Sequence, residues 1–222
     1  MTFLSRLRLH PRDLLVISDL ADITGLHRTL MRAFPQHNGG AARVEFGVLF
    51  RLEPRSDPPI ALVQSNVQPE WAQLPEGYVL AHESKEIDAL LEQVRDGHRL
   101  RFYLVANPSR KTRIAEDHEP APRNSRRVAL ATDAGRHAWL VRRGELGGFS
   151  LSGVGPGDGV RILALPPLAG RTGQTARVYV RPVLFEGALI VTDQDLFHKA
   201  LRDGIGPAKA YGCGLLSIGP AG

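Results

Sequence analysis

Apolar and polar residues in the first half of the chain are arranged in patterns that predict the order β-α-β-β-α-β. Strand-like segments alternate apolar and polar residues, whereas helix-like segments repeat apolar residues every three or four positions. Leu26, Leu30 and Phe34 follow the helical spacing and define one face of a helix over 25–34. A second helix is predicted over 84–94, and strands are predicted over 3–9, 42–54, 60–67 and 99–106.

The second half repeats this order with more insertions. Helices are predicted over 133–146 and 193–204, and a turn at Glu186-Gly187 is expected to divide a hairpin of 176–187 and 188–192. The other predicted strands lie over 126–132, 148–153, 159–165 and 214–220. Two successive βαββαβ units predict an α+β fold of tandem ferredoxin-like (RRM-like) domains, a topology that RNA-recognition motifs share.

The two predicted domains cover 1–106 and 126–222, and a basic linker at 107–125 joins them. The stretch "NPSRKTRIAEDHEPAPRNSRR" (107–127) contains six basic residues, three acidic residues and three prolines. This composition is typical of a solvated linker. The alternative is a flexible arm whose basic residues, among them Arg110 and Lys111, contact an RNA backbone.

The charge of the chain adds a weak preference for anionic partners. Lys and Arg total 28 against 23 Asp and Glu, which gives a net charge of +5, and only four of the basic residues are lysines. The guanidinium group binds phosphate through two parallel hydrogen bonds and stacks on bases. Because arginine richness also accompanies GC-rich genomes, this composition by itself does not establish nucleic-acid binding.

Other features of the composition exclude several classes of protein. Hydrophobic residues make up 43% of the chain, which is typical of a globular protein. No apolar run reaches the roughly 18 residues of a membrane span, and the charged first residues do not resemble a secretory signal. Cys213 is the only cysteine, so neither disulfides nor a thiolate metal cluster are expected. We therefore expect a cytoplasmic protein with no membrane span. Neither a metal ion nor a cofactor is expected in its site.

The segment "DGIGPAKAYGCGLLSIGP" (203–220) concentrates glycine just before the last predicted strand. Its loop glycines are Gly204, Gly206, Gly212 and Gly214. Backbone N–H groups of such a loop can approach phosphate oxygens closely, and Lys209 adds positive charge. The alternative is that the glycines only allow a tight crossover between a helix and a strand. The Walker pattern does not fit, because Ala210 follows the lysine and the loop runs from helix into strand.

The tail "GIGPAKAYGCGLLSIGP" resembles the C-terminal motif of CRISPR repeat-processing endoribonucleases, and in particular that of the CasE family. Members of this family are the RNA-cutting subunits of type I-E Cascade complexes. Further segments similar to that family are "LHRTLMRAFP", "FRLEP", "LRFYLVANPSRK", "RRVAL" and "VLFEGALIV". The motifs keep the family's order, and the resemblance covers nearly the whole chain.

The resemblance implies two ferredoxin-like domains that bind the stem-loop of a repeat RNA and cut at its 3′ base without metal. It also implies a 5′-hydroxyl and a 2′,3′-cyclic phosphate as product ends, and a protein that stays bound to the mature crRNA among the other Cascade subunits. One alternative is a catalytically inactive subunit that binds the same stem-loop. A second, from another class, is a nucleotide-binding enzyme that uses the glycine loop.

His27 is the leading candidate for acid–base chemistry. Metal-free RNA cleavage needs a base for the 2′-hydroxyl proton, an acid for the leaving 5′-oxygen and donors that stabilise the phosphorane. We expect His27 in the first turn of the helix over 25–34, where the positive end of the helix dipole disfavours imidazolium. The resemblance places it, in "LHRTL", at the family's catalytic histidine. We expect it to act as the general base, with the general acid as the alternative role.

One position departs from the family pattern. Many CasE-like proteins have a tyrosine three residues before that histidine, and here the position is Thr24. A threonine hydroxyl is too weakly acidic to replace a phenol in proton transfer. Either another group serves as the acid, with Tyr211 and Lys209 as candidates, or the tyrosine is dispensable. Tyr211 could equally pack its ring against the sheet.

Phosphate contacts are expected from the glycine-rich loop and from arginines. The loop is expected to lie near His27 as a phosphate cradle beside the scissile bond. Arg28 and Arg32 follow His27 in sequence and are expected to hold phosphates near the cut. In the family, a basic hairpin of the second domain enters the groove of the RNA stem. The matching region here contains Arg161, Arg171, Arg177 and Arg181.

Overall fold

The first of two sheets contains four antiparallel strands in the order β2-β3-β1-β4. The structure is a computed structural model that describes residues 1–36, 42–54, 56–112, 126–152, 159–172 and 176–221. The elements of this half are β1 (Phe3–Leu9), α1 (Leu14–Ala21), α2 (Ile23–Leu30), α3 (Ala42–Glu45), β2 (Leu49–Leu52), β3 (Ile60–Ser65) and β4 (Val79–Glu86). Short 3-10 helices cover Met31–Ala33 and Trp71–Gln73.

The second sheet has the order β13-β5-β12-β8, and β9 also pairs with β12. Its half comprises α4 (Asp88–Leu91), β5 (Arg99–Ala106), β6 (Ser109–Thr112), β7 (Arg126–Ala129), α5 (Asp133–Leu146), β8 (Phe149–Leu151), β9 (Arg161–Ala164), β10 (Leu168–Thr172), β11 (Ala176–Val180), β12 (Val183–Val191), α6 (Gln194–Asp203) and β13 (Leu216–Pro220). A 3-10 helix covers Lys209–Tyr211. The pairs β6–β7 and β10–β11 form two separate antiparallel ribbons.

Each sheet is formed by the four strands of one βαββαβ unit. Counted along the chain within the unit, these strands lie in the order 4-1-3-2 across the sheet, and all their pairs are antiparallel. This order confirms the α+β fold of two tandem ferredoxin-like units. A separate cluster of buried apolar side chains stabilises each sheet. In the first unit, α2 contributes Ile23, Leu26 and Leu30, and in the second unit α6 contributes Phe197 and Leu201.

The strands that close the first sheet and open the second differ from the prediction. The helix predicted over 84–94 is wrong at its start, because residues 79–86 form the edge strand β4 and only Asp88–Leu91 are helical. Nearly all of β4 is exposed, so its sequence lacks the alternation that marks a half-buried strand. The strand over 99–106 is β5, which lies between β12 and β13. The chain therefore passes from one sheet to the other between β4 and β5, ahead of the division predicted after residue 106.

The predicted linker and the strand that was predicted to begin the second unit also differ in the structure. Residues 109–112 are not linker but β6, which pairs with β7 within the predicted strand over 126–132. Most of the predicted basic linker, residues 113–125, lies outside the described part of the chain. The ribbon of β6 and β7 is thus an insertion between β5 and α5, and not an edge of the main sheet.

Three more local predictions are wrong. Helix α1 occupies a segment that was expected to be a connection, and α3 occupies the start of the strand expected over 42–54. No turn occurs at Glu186-Gly187, because β12 runs without a break from Val183 to Val191. A Cβ atom at position 187 would lie 2.7 Å from the backbone oxygen of Gly159, so glycine here permits a close backbone approach inside a strand.

Two buried polar side chains join the two units. Arg51 of β2 is only 3% exposed, and its Nη1 donates to the backbone oxygens of Tyr103 and Leu215 and to Ser217 Oγ at 3.4, 3.2 and 2.9 Å. Gln64 of β3 donates from Nε2 to the oxygen of Leu201 at 2.9 Å, near the end of α6. These contacts fix the first sheet against the last strand and last helix of the second unit.

Candidate active site

His27 lies on α2, at the boundary between the core and the surface. Asp22 caps this helix, since its Oδ1 accepts a hydrogen bond from the N–H of Thr24 at 3.0 Å. The ring of His27 is half-buried and lies 6.4 Å from the ring of Phe50, between centroids. Its Nε2 atom is buried and has no hydrogen-bond partner within the described residues. Because buried polar atoms are nearly always paired in native proteins, this unpaired nitrogen marks the ring as a candidate functional group.

The pKa of His27 is lowered, but not for the reason that the sequence suggested. The helix begins at Ile23, so His27 is its fifth residue and lies beyond the first turn. The expectation that the N-terminal dipole keeps the ring neutral is therefore wrong. Burial lowers the pKa most, and the positive charge of Arg43 lowers it further. Both effects favour the neutral ring that a general base requires.

Arg43 is a member of the site that the sequence analysis missed. It lies on α3, is half-buried, and donates from Nη1 to the oxygen of Val48 at 3.2 Å. Burial lowers the pKa of Arg43 as well. No motif marked this residue, because its segment was predicted to be the start of a strand. The effect of Arg43 on His27 depends on how the distant parts of the unit fold together.

The glycine-rich loop of residues 204–214 connects α6 to β13 and meets the helix of His27. It closes on itself through a hydrogen bond of 2.8 Å from Ile205 N to Gly214 O, and Gly214 N donates to Val105 O of β5 at 2.7 Å. The 3-10 helix inside the loop, Lys209–Tyr211, packs against both α2 and β2. The loop and His27 come from opposite ends of the sequence and lie together in the structure, as the sequence analysis expected.

Gly212 shows why the loop needs glycine where it approaches the histidine. Its φ angle is +75°, and an added Cβ would lie 3.3 Å from the ring of Phe50. That same ring faces His27. A side chain at position 212 would be strained by the backbone angle and would press on the residue between the loop and the histidine.

The ammonium group of Lys209 lies at the C-terminal end of α6. Its Nζ donates to the oxygen of Asp203 at 2.5 Å, in the last turn of the helix, where cations interact favourably with the helix dipole. Burial lowers the pKa of Lys209, and the charge of Arg43 lowers it further. Arg43 thus acts electrostatically on both His27 and Lys209, so three basic side chains share one region.

The two other candidates for proton transfer are held by the protein. The Thr24 hydroxyl lies 2.6 Å from Asp22 Oδ1 and 2.8 Å from the backbone oxygen of Arg171, and both are acceptors for its single proton. The hydrogen bond from Thr24 is the main reason that the pKa of Asp22 is lowered. The ring of Tyr211 packs against apolar clusters of both units.

The residues predicted to contact phosphate lie in more than one part of the structure. Arg28 and Arg32, which follow His27 in the chain, are exposed and line a groove of about 450 Å³ with Gln36 and Gln73. The loop glycines at 204, 206, 212 and 214 all lie within this loop. Gly204 and Gly212 approach β2, and Gly206 approaches Trp139 of α5.

The predicted RNA contacts of the second unit do not form one surface. Arg161 is exposed on β9, 3.7 Å from the carboxylate of Glu186, and lines a groove on the second sheet that no residue of the glycine-rich loop reaches. Arg171 and Arg177 lie opposite each other in the register of the β10–β11 ribbon. Arg171 is exposed, and the side chain of Arg177 lies outside the described part of the chain. Arg181 follows this ribbon, with its Cζ 5.6 Å from the Tyr179 ring. Arg110 and Lys111 are exposed on β6.

The described part of the chain contains no group of three or more His, Cys, Asp and Glu side chains placed to hold a metal ion. Nor does it contain a helix with the length and apolar character needed to cross a membrane.

Comparisons with known proteins agree with the motifs in the sequence. A family model described as CRISPR associated protein matches residues 2–220. The chain is 38% identical to the CRISPR-associated endoribonuclease Cse3 of Thermus thermophilus over 98% of its length and 100% of that protein. It is 30% identical to the CRISPR system Cascade subunit CasE of Escherichia coli, covering 90% of this chain and 92% of that one.

Solved structures give the same result. A structure of the CRISPR endoribonuclease Cse3 bound to a 19-nucleotide RNA matches with a TM-score of 0.79 at 38% identity, covering 99% of this chain and 100% of that one. Thermus thermophilus Cse3 bound to an RNA that represents a pre-cleavage complex matches with a TM-score of 0.77 at 36% identity, over 99% of both chains. The chain belongs to the CRISPR-associated CasE/Cse3 family of type I-E systems.

Proposed function

We propose that this protein is a metal-independent endoribonuclease that cuts CRISPR precursor RNA at the 3′ base of the repeat stem-loop. It remains bound to the mature crRNA as a subunit of Cascade, in the cytoplasm. The observation that carries this proposal is the meeting of a half-buried, unpartnered histidine with a cationic, glycine-rich loop. The similarity to Cse3 and to CasE supports the substrate and the assembly.

His27 acts as the general base in this proposal. Its neutral ring takes the proton from the 2′-hydroxyl of the ribose before the cut, and the resulting oxyanion attacks the adjacent phosphorus. The P–O bond to the 5′-oxygen breaks, which leaves a 2′,3′-cyclic phosphate and a 5′-hydroxyl. The lowered pKa of His27 keeps the ring available to accept that proton near neutral pH.

Lys209 is our choice for the general acid. Its lowered pKa makes the ammonium a better proton donor than an ordinary lysine, and it lies in the 3-10 helix that packs against α2. Thr24 has an anchoring role instead, because its hydroxyl is held by Asp22 and by the β10 backbone. Tyr211 supports the loop through ring packing.

The glycine-rich loop and Arg43 stabilise the charge that develops on the phosphorane. Four N–H groups of the loop, those of Gly204, Ile205, Tyr211 and Gly214, already donate to protein carbonyls, so the phosphate must use other N–H groups of the loop. Arg43 adds a positive charge on the side of α3. Preorganised donors and charges of this kind are often the largest contribution to catalysis.

The decisive experiment follows cleavage of labelled repeat RNA in EDTA. Wild-type protein should give a single cut with a 2′,3′-cyclic phosphate end. His27→Ala should slow cleavage by about 10²- to 10⁴-fold, the usual contribution of a general base, while stem-loop affinity is retained. His82→Ala, at an exposed histidine of β4, is the matched control and should cut normally. Tight binding without any cut by the wild type would instead identify an inactive crRNA-binding subunit.

A further inference from the structure

A second groove begins at the glycine-rich loop and runs between the two ribbons of the second unit. This interhairpin groove lies between β6–β7 and β10–β11, and Pro207, Ala208 and Tyr211 of the loop form part of its wall. Its volume is about 780 Å³, within the range of roughly 300–1,000 Å³ that is usual for ligand sites. It is therefore large enough for a nucleotide and adjoins the proposed cleavage site.

The charge of the interhairpin groove favours an anionic ligand. Its charged lining residues in the described part of the chain are Arg127 and Arg181, and both are cations. Guanidinium groups bind phosphate oxygens through paired hydrogen bonds. An acidic side chain that would repel phosphate is not among the lining residues that the structure describes.

Tyr179 provides an aromatic surface in the same groove. Its neighbours Val178 and Val180 pack into the apolar cluster beneath the ribbon, so the alternation of the strand directs Tyr179 away from that cluster. The tyrosine is 59% exposed, and the guanidinium carbon of Arg181 lies 5.6 Å from its ring centroid. An exposed aromatic ring next to a cation is a typical platform for base stacking.

Two residues of the groove carry a buried side-chain oxygen that forms no hydrogen bond with the described residues. Asn107 Oδ1 and Ser109 Oγ are buried, and neither has a partner within the described residues. Both residues line the groove. Buried polar atoms in native proteins are nearly always paired, so these oxygens fit a ligand that donates hydrogen bonds, such as a ribose hydroxyl or a base amino group.

We propose that the interhairpin groove binds one unpaired nucleotide that adjoins the base of the RNA stem, with its base stacked on Tyr179. Arg127 and Arg181 hold the phosphate, and Asn107 and Ser109 accept hydrogen bonds from the sugar or base. A base inside a stem cannot offer its face to a tyrosine, so the ligand is single-stranded. This inference rests on the proposed function, because the nucleotide belongs to the RNA that is cut.

The test compares two RNAs, and a 2′-deoxy ribose blocks the cut in the one that extends beyond the stem. One ends at the last base pair of the stem, and the other carries unpaired nucleotides on both sides. Tyr179→Ala should bind the flanked RNA about 5- to 100-fold more weakly than wild type, as expected for the loss of one base–aromatic stack. It should bind the blunt RNA normally. Tyr179→Phe keeps the ring and should match wild type on both RNAs.

A fluorescent base identifies which flank is bound. With 2-aminopurine placed in turn on the 5′ and 3′ sides, the stacked position should be quenched by wild type and not by Tyr179→Ala. Leu146→Ala, at a 65% exposed residue of α5, is the control and should leave both readouts unchanged.

Two results would overturn the inference. One is an equal loss of affinity for both RNAs in Tyr179→Ala, which would indicate a contact with the stem or a structural role. The other is wild-type binding of the flanked RNA by Tyr179→Ala. Either result leaves the proposed function intact as long as wild type still cuts unblocked RNA, so the two failures can be told apart.

Discussion

The two units have the same strand order but contribute different parts of the site. In the first unit, the connection after β1 carries His27 on α2, and the connection between β3 and β4 is reduced to the 3-10 helix Trp71–Gln73. In the second unit both connections contain full helices, α5 and α6, and the loop that we propose binds phosphate follows α6. The same topology thus carries the proposed proton acceptor in one unit and the proposed phosphate-binding loop in the other.

Equivalent helices in the two units have different roles. Helix α5 occupies the place in the second unit that α2 occupies in the first, but it supports the glycine-rich loop through packing. A Cβ atom added at Gly206 would lie only 2.8 Å from the ring of Trp139, a residue of α5. The comparison shows that the fold provides positions, and that the side chains at those positions decide the chemistry.

Because the site combines parts of both units, it depends on the contact between them. Arg51 is the main polar link, since it reaches two backbone oxygens and a serine of the second unit. Its Nη2 also lies 2.7 Å from Glu53 Oε1, and its Cζ lies 4.5 Å from the centre of the Tyr103 ring.

The largest effect in this comparison is expected from breaking that link. Arg51→Met should lower the free energy of unfolding by about 3–5 kcal/mol, because it leaves buried acceptors and a carboxylate without their partner. Denaturant unfolding measures this effect. Arg101→Met, at an exposed arginine of β5, is the matched control and should change stability by less than about 0.5 kcal/mol. Equal stabilities of the two variants would show that Arg51 does not hold the units together.

A smaller effect is expected where α2 holds the β10–β11 ribbon. Thr24→Val removes the hydroxyl that bonds Asp22 and Arg171 O, and should destabilise the protein by about 0.5–1.5 kcal/mol, the usual net value of a hydrogen bond. Thr24→Ser keeps the hydroxyl and serves as the control. Thermal unfolding and cleavage are measured together. A loss of cleavage of about 100-fold in a fully folded Thr24→Val would make Thr24 a proton donor and contradict its anchoring role.

The smallest change is expected in the pH dependence of cleavage. Arg43→Met removes a positive charge that lowers the pKa values of both His27 and Lys209, so both should rise. A general base works above its pKa and a general acid below its own, so both limbs of the pH–rate profile should move to higher pH. Single-turnover cleavage across the pH range measures this shift.

Two further variants control the Arg43 experiment. Arg43→Lys keeps the charge and should leave the limbs close to those of wild type. Arg12→Met removes an exposed arginine in the turn before α1 and should not shift either limb. A profile for Arg43→Met that coincides with wild type would show that Arg43 does not act on the site.

Much of the fold and part of the site follow from local sequence. The alternation over 3–9 predicted β1, and the spacing of Leu26 and Leu30 predicted the buried face of α2. The motifs around His27 and in the glycine-rich loop indicated the family, which implied that these segments meet. Local patterns suffice here because burial of one face imposes a period on the sequence.

The tertiary structure decided which segments became neighbours. The pattern of 99–106 identified a strand, but only its pairing with β12 and β13 assigned it to the second unit. Likewise, the low pKa of His27 comes from burial and from Arg43, not from its place in the helix. The interhairpin groove unites Asn107, Tyr179 and Arg181, which no local pattern connects. Periodicity reports that a face is buried, whereas strand pairing, charge proximity and grooves depend on which distant residues come to lie against it.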